Sequence, residues 1–102
     1  LKVQQFARKF SVLCLQEVDG EEAEIKVFLD RSLLGWKCFI SASRTRDDLD
    51  CPGAGGVASA FNPSFWSQVT HFESSNLLAG RCVSVSISIQ NSKINIINIQ
   101  LG

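Results

Sequence analysis

Glu17 is the side chain best placed to do chemistry, because it follows the apolar run Val12-Leu13-Cys14-Leu15 with only Gln16 between. On an extended strand side chains alternate, so Leu13, Leu15 and Glu17 share one face. A carboxylate that continues an apolar row must be hydrogen-bonded, paired with a cation, or left in water at the strand end. Arg8 and Lys9 lie toward the other end of the run, so neighbouring sequence supplies no cation. Two readings follow. Glu17 is either a solvated strand-end residue or an oxygen ligand for a metal ion at the carboxyl end of a strand, where α/β sheets gather their ligands. Asn98 and Gln100 form a second group, sharing one face with Ile94 and Ile96 and reaching the end of their strand together. Such amides bond to water or backbone, or they contact a phosphate or scissile oxygen.

Other arrangements carry less. Gly53-Ala54-Gly55-Gly56 has the small residues of a phosphate cradle, but no Lys-Ser/Thr follows and no helix opens there. Asp47, Asp48 and Asp50 imitate a calcium loop without its Gly and terminal Glu, and Arg44 and Arg46 offset their charge. His71 is the single histidine and has no Ser or Cys nucleophile motif beside it. Cys14, Cys38, Cys51 and Cys82 contain no CxxC pair. Three of them sit in apolar, strand-like contexts, where a free cysteine behaves as a small hydrophobe rather than a zinc ligand or half-cystine. Cys51, before Pro52, is the candidate for exposure.

These residues need elements to position them. Val3, Phe6, Ala7 and Phe10 have helical spacing. Val12 to Leu15 is apolar on both faces, as in a strand covered on two sides. Asp19 with Glu22 has the spacing of a capping box, and Ile25, Phe28, Leu29 and Leu33 form a helical stripe that Gly35 stops. Trp36 to Ser41 is a short strand, 43–56 a polar loop, and Val57 to Phe61 another strand stopped by Asn62-Pro63. Phe65 to Phe72 is a further strand candidate. Val83, Val85, Ile87 and Ile89 alternate with Ser84, Ser86 and Ser88, a period-two pattern with one buried face. A turn at Gln90-Asn91-Ser92-Lys93 and a returning strand from Ile94 to Leu101 follow. The order predicts an α/β fold with strands predominating in the second half.

The whole chain sets bounds on function. Its 102 residues suit one small domain, and 45% apolar with 20% charged residues is globular composition. Ten basic and ten acidic residues cancel, which argues against a histone-like or arm-type binder of nucleic acid. It leaves open a domain that meets phosphates through a local cation. No run of ~18 apolar residues is present to span a membrane, and no signal-peptide pattern opens the chain. With Leu1 first and no Met, the sequence reads as a piece of a longer protein, of intracellular (nuclear or cytoplasmic) location.

The run Val12-Leu13-Cys14-Leu15-Gln16-Glu17-Val18 resembles the apolar strand ending in Gln-Glu that marks the endonuclease/exonuclease/phosphatase superfamily, which includes exonuclease III-like repair enzymes and retroelement endonucleases. Gly55-Gly56-Val57-Ala58 resembles the Gly-Gly-Val-Ala that opens a strand in many members. Gly80-Arg81-Cys82-Val83-Ser84-Val85 is similar to the strand before a hairpin in retroelement-type endonucleases. Ile97-Asn98-Ile99-Gln100-Leu101 matches the position of a strand ending in Asn, any residue, then His or Tyr. Gln100 departs from that pattern; its amide donates a hydrogen bond but does not titrate near neutral pH.

The resemblance implies part of a four-layer α/β sandwich, with a mixed, largely antiparallel sheet and flanking helices, residues 1–102 being one partial domain. It implies Glu17 as ligand to magnesium or manganese, Asn98 as a catalytic group orienting phosphate, and Gln100 beside it as a substrate contact. The expected parent is a divalent-metal-dependent nuclease acting on DNA or RNA, with the remainder of the domain needed to complete core and site. The isolated piece is expected to be inactive. Two alternatives stand beside it: the same fold acting on inositol phosphates or lipids, and a truncated relic or binding module without catalysis.

Overall fold

The computed structural model describes residues 10–18, 20–42, 56–78 and 80–100, with every side chain in these ranges except that of Glu17. Six strands and two helices run in the order β1 (Val12–Val18), α1 (Glu22–Ser32), β2 (Lys37–Ser41), β3 (Gly56–Phe61), α2 (Pro63–Trp66), β4 (His71–Leu78), β5 (Cys82–Ile89) and β6 (Ser92–Ile99). The strands make two three-stranded sheets, β1-β3-β2 and β4-β5-β6, and every pairing in both is antiparallel.

This corrects the expected architecture. Of the described residues 56% are strand and 20% helix, so the chain is a small β-rich domain and not a layered α/β sandwich. The physical reason lies in the connections. Hairpins join β4, β5 and β6 with no helical crossover, so few described residues are left to form the expected flanking helices. One helix, α1, covers the first sheet. The helical pattern at Leu1 to Lys9 lies outside the described residues, as do the acidic loop, Cys51 and Gly53 to Gly55.

β3 explains how the layers assemble, because all six of its residues are buried. Ala58 and Ala60 face α1 and pack with Leu13, Ile25, Leu29 and Leu33. Phe61 faces the other way and packs with Val85 and Ile87 of the second sheet. Small residues on one side admit the helix closely; a large ring on the other fills the space between sheets. Fully burying an aliphatic side chain such as Ile25 or Leu29, each 1% exposed, stabilises by about 1.5–3 kcal/mol.

The local signals are partly those expected. The Glu24 carboxylate accepts from the Glu21 backbone N–H at 3.1 Å, so the helix is capped at Glu21 rather than at Asp19. Ile25, Leu29 and Leu33 are buried, but Phe28, one residue off that stripe, is 54% exposed. Gly35, with φ of 81°, takes the left-handed conformation after the helix. Phe65 to Phe72 is not one strand. Asn62 Oδ1 accepts from Ser64 N–H at 2.8 Å and Pro63 opens the single-turn α2, so strand structure resumes at His71. In β5 the alternation holds, with Val83, Val85 and Ile87 buried against the first sheet. Its hairpin to β6 is tighter than expected, since Ile89 pairs with Ser92 across Gln90-Asn91, and Gln90 has φ of 55°.

Candidate functional site

The sandwich has a polar end and an aromatic end. At the polar end lie the last residues of β1, β2, β4 and β6 and the first residues of β3 and β5. Glu17 is in this group by its backbone; its side chain lies outside those described. Gln16 next to it donates from Nε2 to the Ile99 carbonyl at 2.6 Å. The last turn of β1 is therefore held against the last turn of β6, a separation of 83 positions in sequence.

Asn98 makes the second attachment. Its Nδ2 donates to the Leu15 carbonyl at 3.2 Å and to the Ala58 carbonyl at 3.0 Å. One side chain of the second sheet thus reaches two strands of the first, two residues before Glu17. Asn98 is 3% exposed, and its Oδ1 is buried with no hydrogen-bond partner among the described residues. A group in that position does not meet solvent-borne substrate through its amino hydrogens, because those are committed to the backbone. Gln100 does not share the environment of Asn98. It stands just past β6, half-buried, and its backbone N–H donates to the Arg81 carbonyl at 2.8 Å.

A third attachment comes from residues that the sequence pattern did not single out. Ser41, fully buried at the end of β2, donates from Oγ to Asn76 Oδ1 of β4 at 2.6 Å and accepts from the Gly80 N–H at 2.8 Å. Asn76, Val83 and Asn98 lie in one row across the second sheet. Two asparagines of that row therefore latch the two sheets together, one through Ser41 and one through backbone carbonyls. Gly56 closes the same corner: a Cβ there would stand 2.7 Å from the Ser41 carbonyl oxygen and 3.3 Å from that of Val18. Ser41 ends an apolar strand and Asn76 sits in the plain stretch Ser74-Ser75-Asn76, so neither carries a sequence signal.

No protein-family model, curated protein or solved structure matches the chain. Among the described residues no three His, Cys, Asp or Glu side chains gather closely enough to hold a metal ion. A magnesium ion asks for less than such a cage, since it keeps several waters and is held by one or two carboxylates plus substrate phosphate. Asn98 Oδ1, next to the strand that carries Glu17, is buried and closed to a hydrated ion. The cysteines do not contribute: Cys82 is buried, Cys38 half-buried and Cys14 exposed, and all three are free. Burial, with a smaller contribution from Asp30, pushes the Cys38 thiol up.

His71 is elsewhere, exposed at the start of β4 with Nε2 3.6 Å from the Glu73 carboxylate. A cleft of about 410 Å³ between α1 and β2 is lined by Glu22, Lys26, Asp30, Trp36 and Lys37 among others, and by none of Glu17, Asn98 or Gln100.

Proposed function

We propose that this chain contributes to a divalent-metal-dependent phosphodiesterase of the endonuclease/exonuclease/phosphatase superfamily, acting on nucleic acid. The observation that carries the reading is the double attachment of β6 to β1, Asn98 to Leu15 and Gln16 to Ile99, which brings two sequence motifs 83 positions apart to one end of the sandwich. The β-rich architecture lends the reading nothing; its support is the motif residues and their meeting. The segment from Gly80 to Gly102, similar to retroelement-type endonucleases, is what favours nucleic acid over inositol phosphates or lipids.

In this reading the Glu17 carboxylate holds magnesium or manganese, which when bound neutralises phosphate charge and acts as a Lewis acid. Asn98 serves as a positioning residue. Its amino group fixes the Leu15 carbonyl, and through it the course of β1 up to Glu17. Gln100, at the rim, donates a hydrogen bond to a phosphate oxygen without carrying a proton to or from it.

The test is Glu17→Gln in the full-length protein, with magnesium-dependent cleavage of DNA and RNA as readout. Loss of activity on the order of a hundredfold or more is expected. Unchanged cleavage would remove Glu17 from the mechanism. Turnover of inositol phosphates in place of nucleic acid would shift the substrate class, and no turnover of either by the unmodified protein would leave a binding role.

A further inference from the structure

Among the described residues β6 has one strand neighbour, β5, and stands at the edge of its sheet. Its backbone turns one row of groups to β5 and one row outward, and the hairpin says which is which. A two-residue connection makes its flanking residues a hydrogen-bonded pair, here Ile89 and Ser92 across Gln90-Asn91. Such pairs alternate along an antiparallel ladder, so Ser92, Ile94, Ile96 and Asn98 bond to β5. The Gln100 N–H, donating to the Arg81 carbonyl at 2.8 Å, continues that parity. Lys93, Asn95, Ile97 and Ile99 therefore direct their N–H and C=O groups away from the sheet. The Ile99 carbonyl accepts from Gln16 Nε2 at 2.6 Å, which closes the row at that end. No other described residue bonds to the row. Its side chains do not guard it either. From Ile94 to Ile99 there is no charge, proline or glycine, and four of the six residues are isoleucine, a composition that favours strand pairing. The opposite edge, β4, carries exposed His71 and Glu73, the kind of charge that keeps edges apart.

We propose that β6 pairs antiparallel with β6 of a second copy of this chain, joining two β4-β5-β6 sheets across a twofold axis at Ile96. Asn95 of each protomer exchanges both backbone bonds with Ile97 of its partner, and the Ile99 N–H donates to the partner's Lys93 carbonyl. Every open group of the row except the Lys93 N–H is then used. In the neighbouring register, with Ile97 opposite itself, the internal Asn95 N–H would fall on the Ile99 carbonyl that Gln16 holds. Charge selects the occupant. Ten basic and ten acidic residues leave two copies no net charge to hold them apart. In this register Lys93 faces Ile99, so no like charges are opposed, and the lysine stem lies along an isoleucine that is 47% exposed in the single chain. The two Ile97 side chains, each 56% exposed, become diagonal neighbours across the joint. An acidic strand would find one lysine along β6 and set its remaining charges over isoleucine.

The pairing does not depend on the nuclease reading, and its readout is mass rather than cleavage. Sedimentation velocity of the chain over a range of concentrations, with reductant to keep the exposed Cys14 thiol free, is expected to show monomer passing to dimer and stopping there. Asn95→Lys combined with Ile97→Lys sets lysine opposite lysine in both halves of the joint, and is expected to weaken the dimer about tenfold or more. Asn95→Glu combined with Ile97→Lys sets opposite charges face to face in the same register, and is expected to restore it. Ile97→Pro removes an outward N–H that β5 does not use, so the sheet is kept while the dimer is expected to be lost. Monomer at every concentration would overturn the proposal, as would a mass that keeps growing past the dimer, the signature of a head-to-tail joint between β4 and β6. So would a dimer that the two lysines or the proline leave unchanged, or a glutamate–lysine variant that associates no better than the double lysine.

Discussion

Asn98 shows how a single residue acquires its role from what it faces. Its amino group donates to two backbone carbonyls of the other sheet, Leu15 of β1 and Ala58 of β3. Leaving such acceptors unsatisfied costs about 1–3 kcal/mol. Asn98→Ala is expected to lower stability by about that amount in urea unfolding, with the unfolding slope unchanged. The period of the strand correctly put Asn98 on the face of Ile94 and Ile96; it could not say that this face meets another sheet rather than a substrate. The cysteines teach the same lesson, since similar apolar contexts leave Cys14 exposed and Cys82 buried. Cys38 adds a pH dependence. Its thiol is raised by burial above its unfolded value, so the stability it contributes is present below the unfolded pKa and is lost as pH rises through the folded one. Stability is therefore expected to fall as the solution is made alkaline, above about pH 8.5. Cys38→Ala should flatten that fall, and mass spectrometry should find Cys14 alkylated before Cys38.

At the scale of elements, the signals that proved reliable were local and redundant. The β5 alternation, the Gly35 stop and the helical stripe, apart from its exposed member Phe28, each depend on a few neighbouring residues and appear in the structure. Leu29→Ala, removing a 1% exposed side chain between α1 and β3, is expected to cost about 2–5 kcal/mol in the same unfolding assay. The stretch from Phe65 to Phe72 failed as a strand because its rings serve tertiary packing, not a strand period. Trp66 belongs to a helical turn and Phe72 to β4, yet their rings meet at 5.0 Å. Gly56 is an element-end device of another kind. Its position at the start of a strand was visible in the Gly-Gly-Val-Ala motif, whereas the reason is the approach of the Ser41 and Val18 carbonyls. Gly56→Ala is expected to lose about 1–3 kcal/mol, since the neighbour that must yield is backbone. Thermal unfolding measures it.

The described residues stack α1 on the β1-β3-β2 sheet and that sheet on the β4-β5-β6 sheet. Its outer surface on the second sheet carries Ile97 and Ile99, 56% and 47% exposed, paired in register with Ser84 and Cys82. Replacing both with Ser should leave stability within about 0.5 kcal/mol. It should also reduce self-association at high concentration, which light scattering would detect; unaltered scattering would mean that this face does not associate. The latch between sheets is expected to behave as a unit. Ser41→Ala and Asn76→Ala should show a coupling of about 0.5 kcal/mol or more in a double-mutant cycle, because they share one hydrogen bond of 2.6 Å.

By itself the sequence determined where β1, α1, β3, β5 and β6 lie, which face of β5 is buried, and that Glu17 and Asn98 stand near strand ends. Those properties are set by neighbours within one turn or one pleat, so periodicity and turn chemistry suffice. The tertiary structure decided that every described strand pairing is antiparallel and that one described helix of more than a single turn covers the first sheet. It also decided that Asn98 binds backbone instead of facing outward, and that Ser41, Asn76 and Gly56 hold the corner. These depend on contacts between residues tens of positions apart, formed by strand pairing and sheet packing, and no local pattern encodes them.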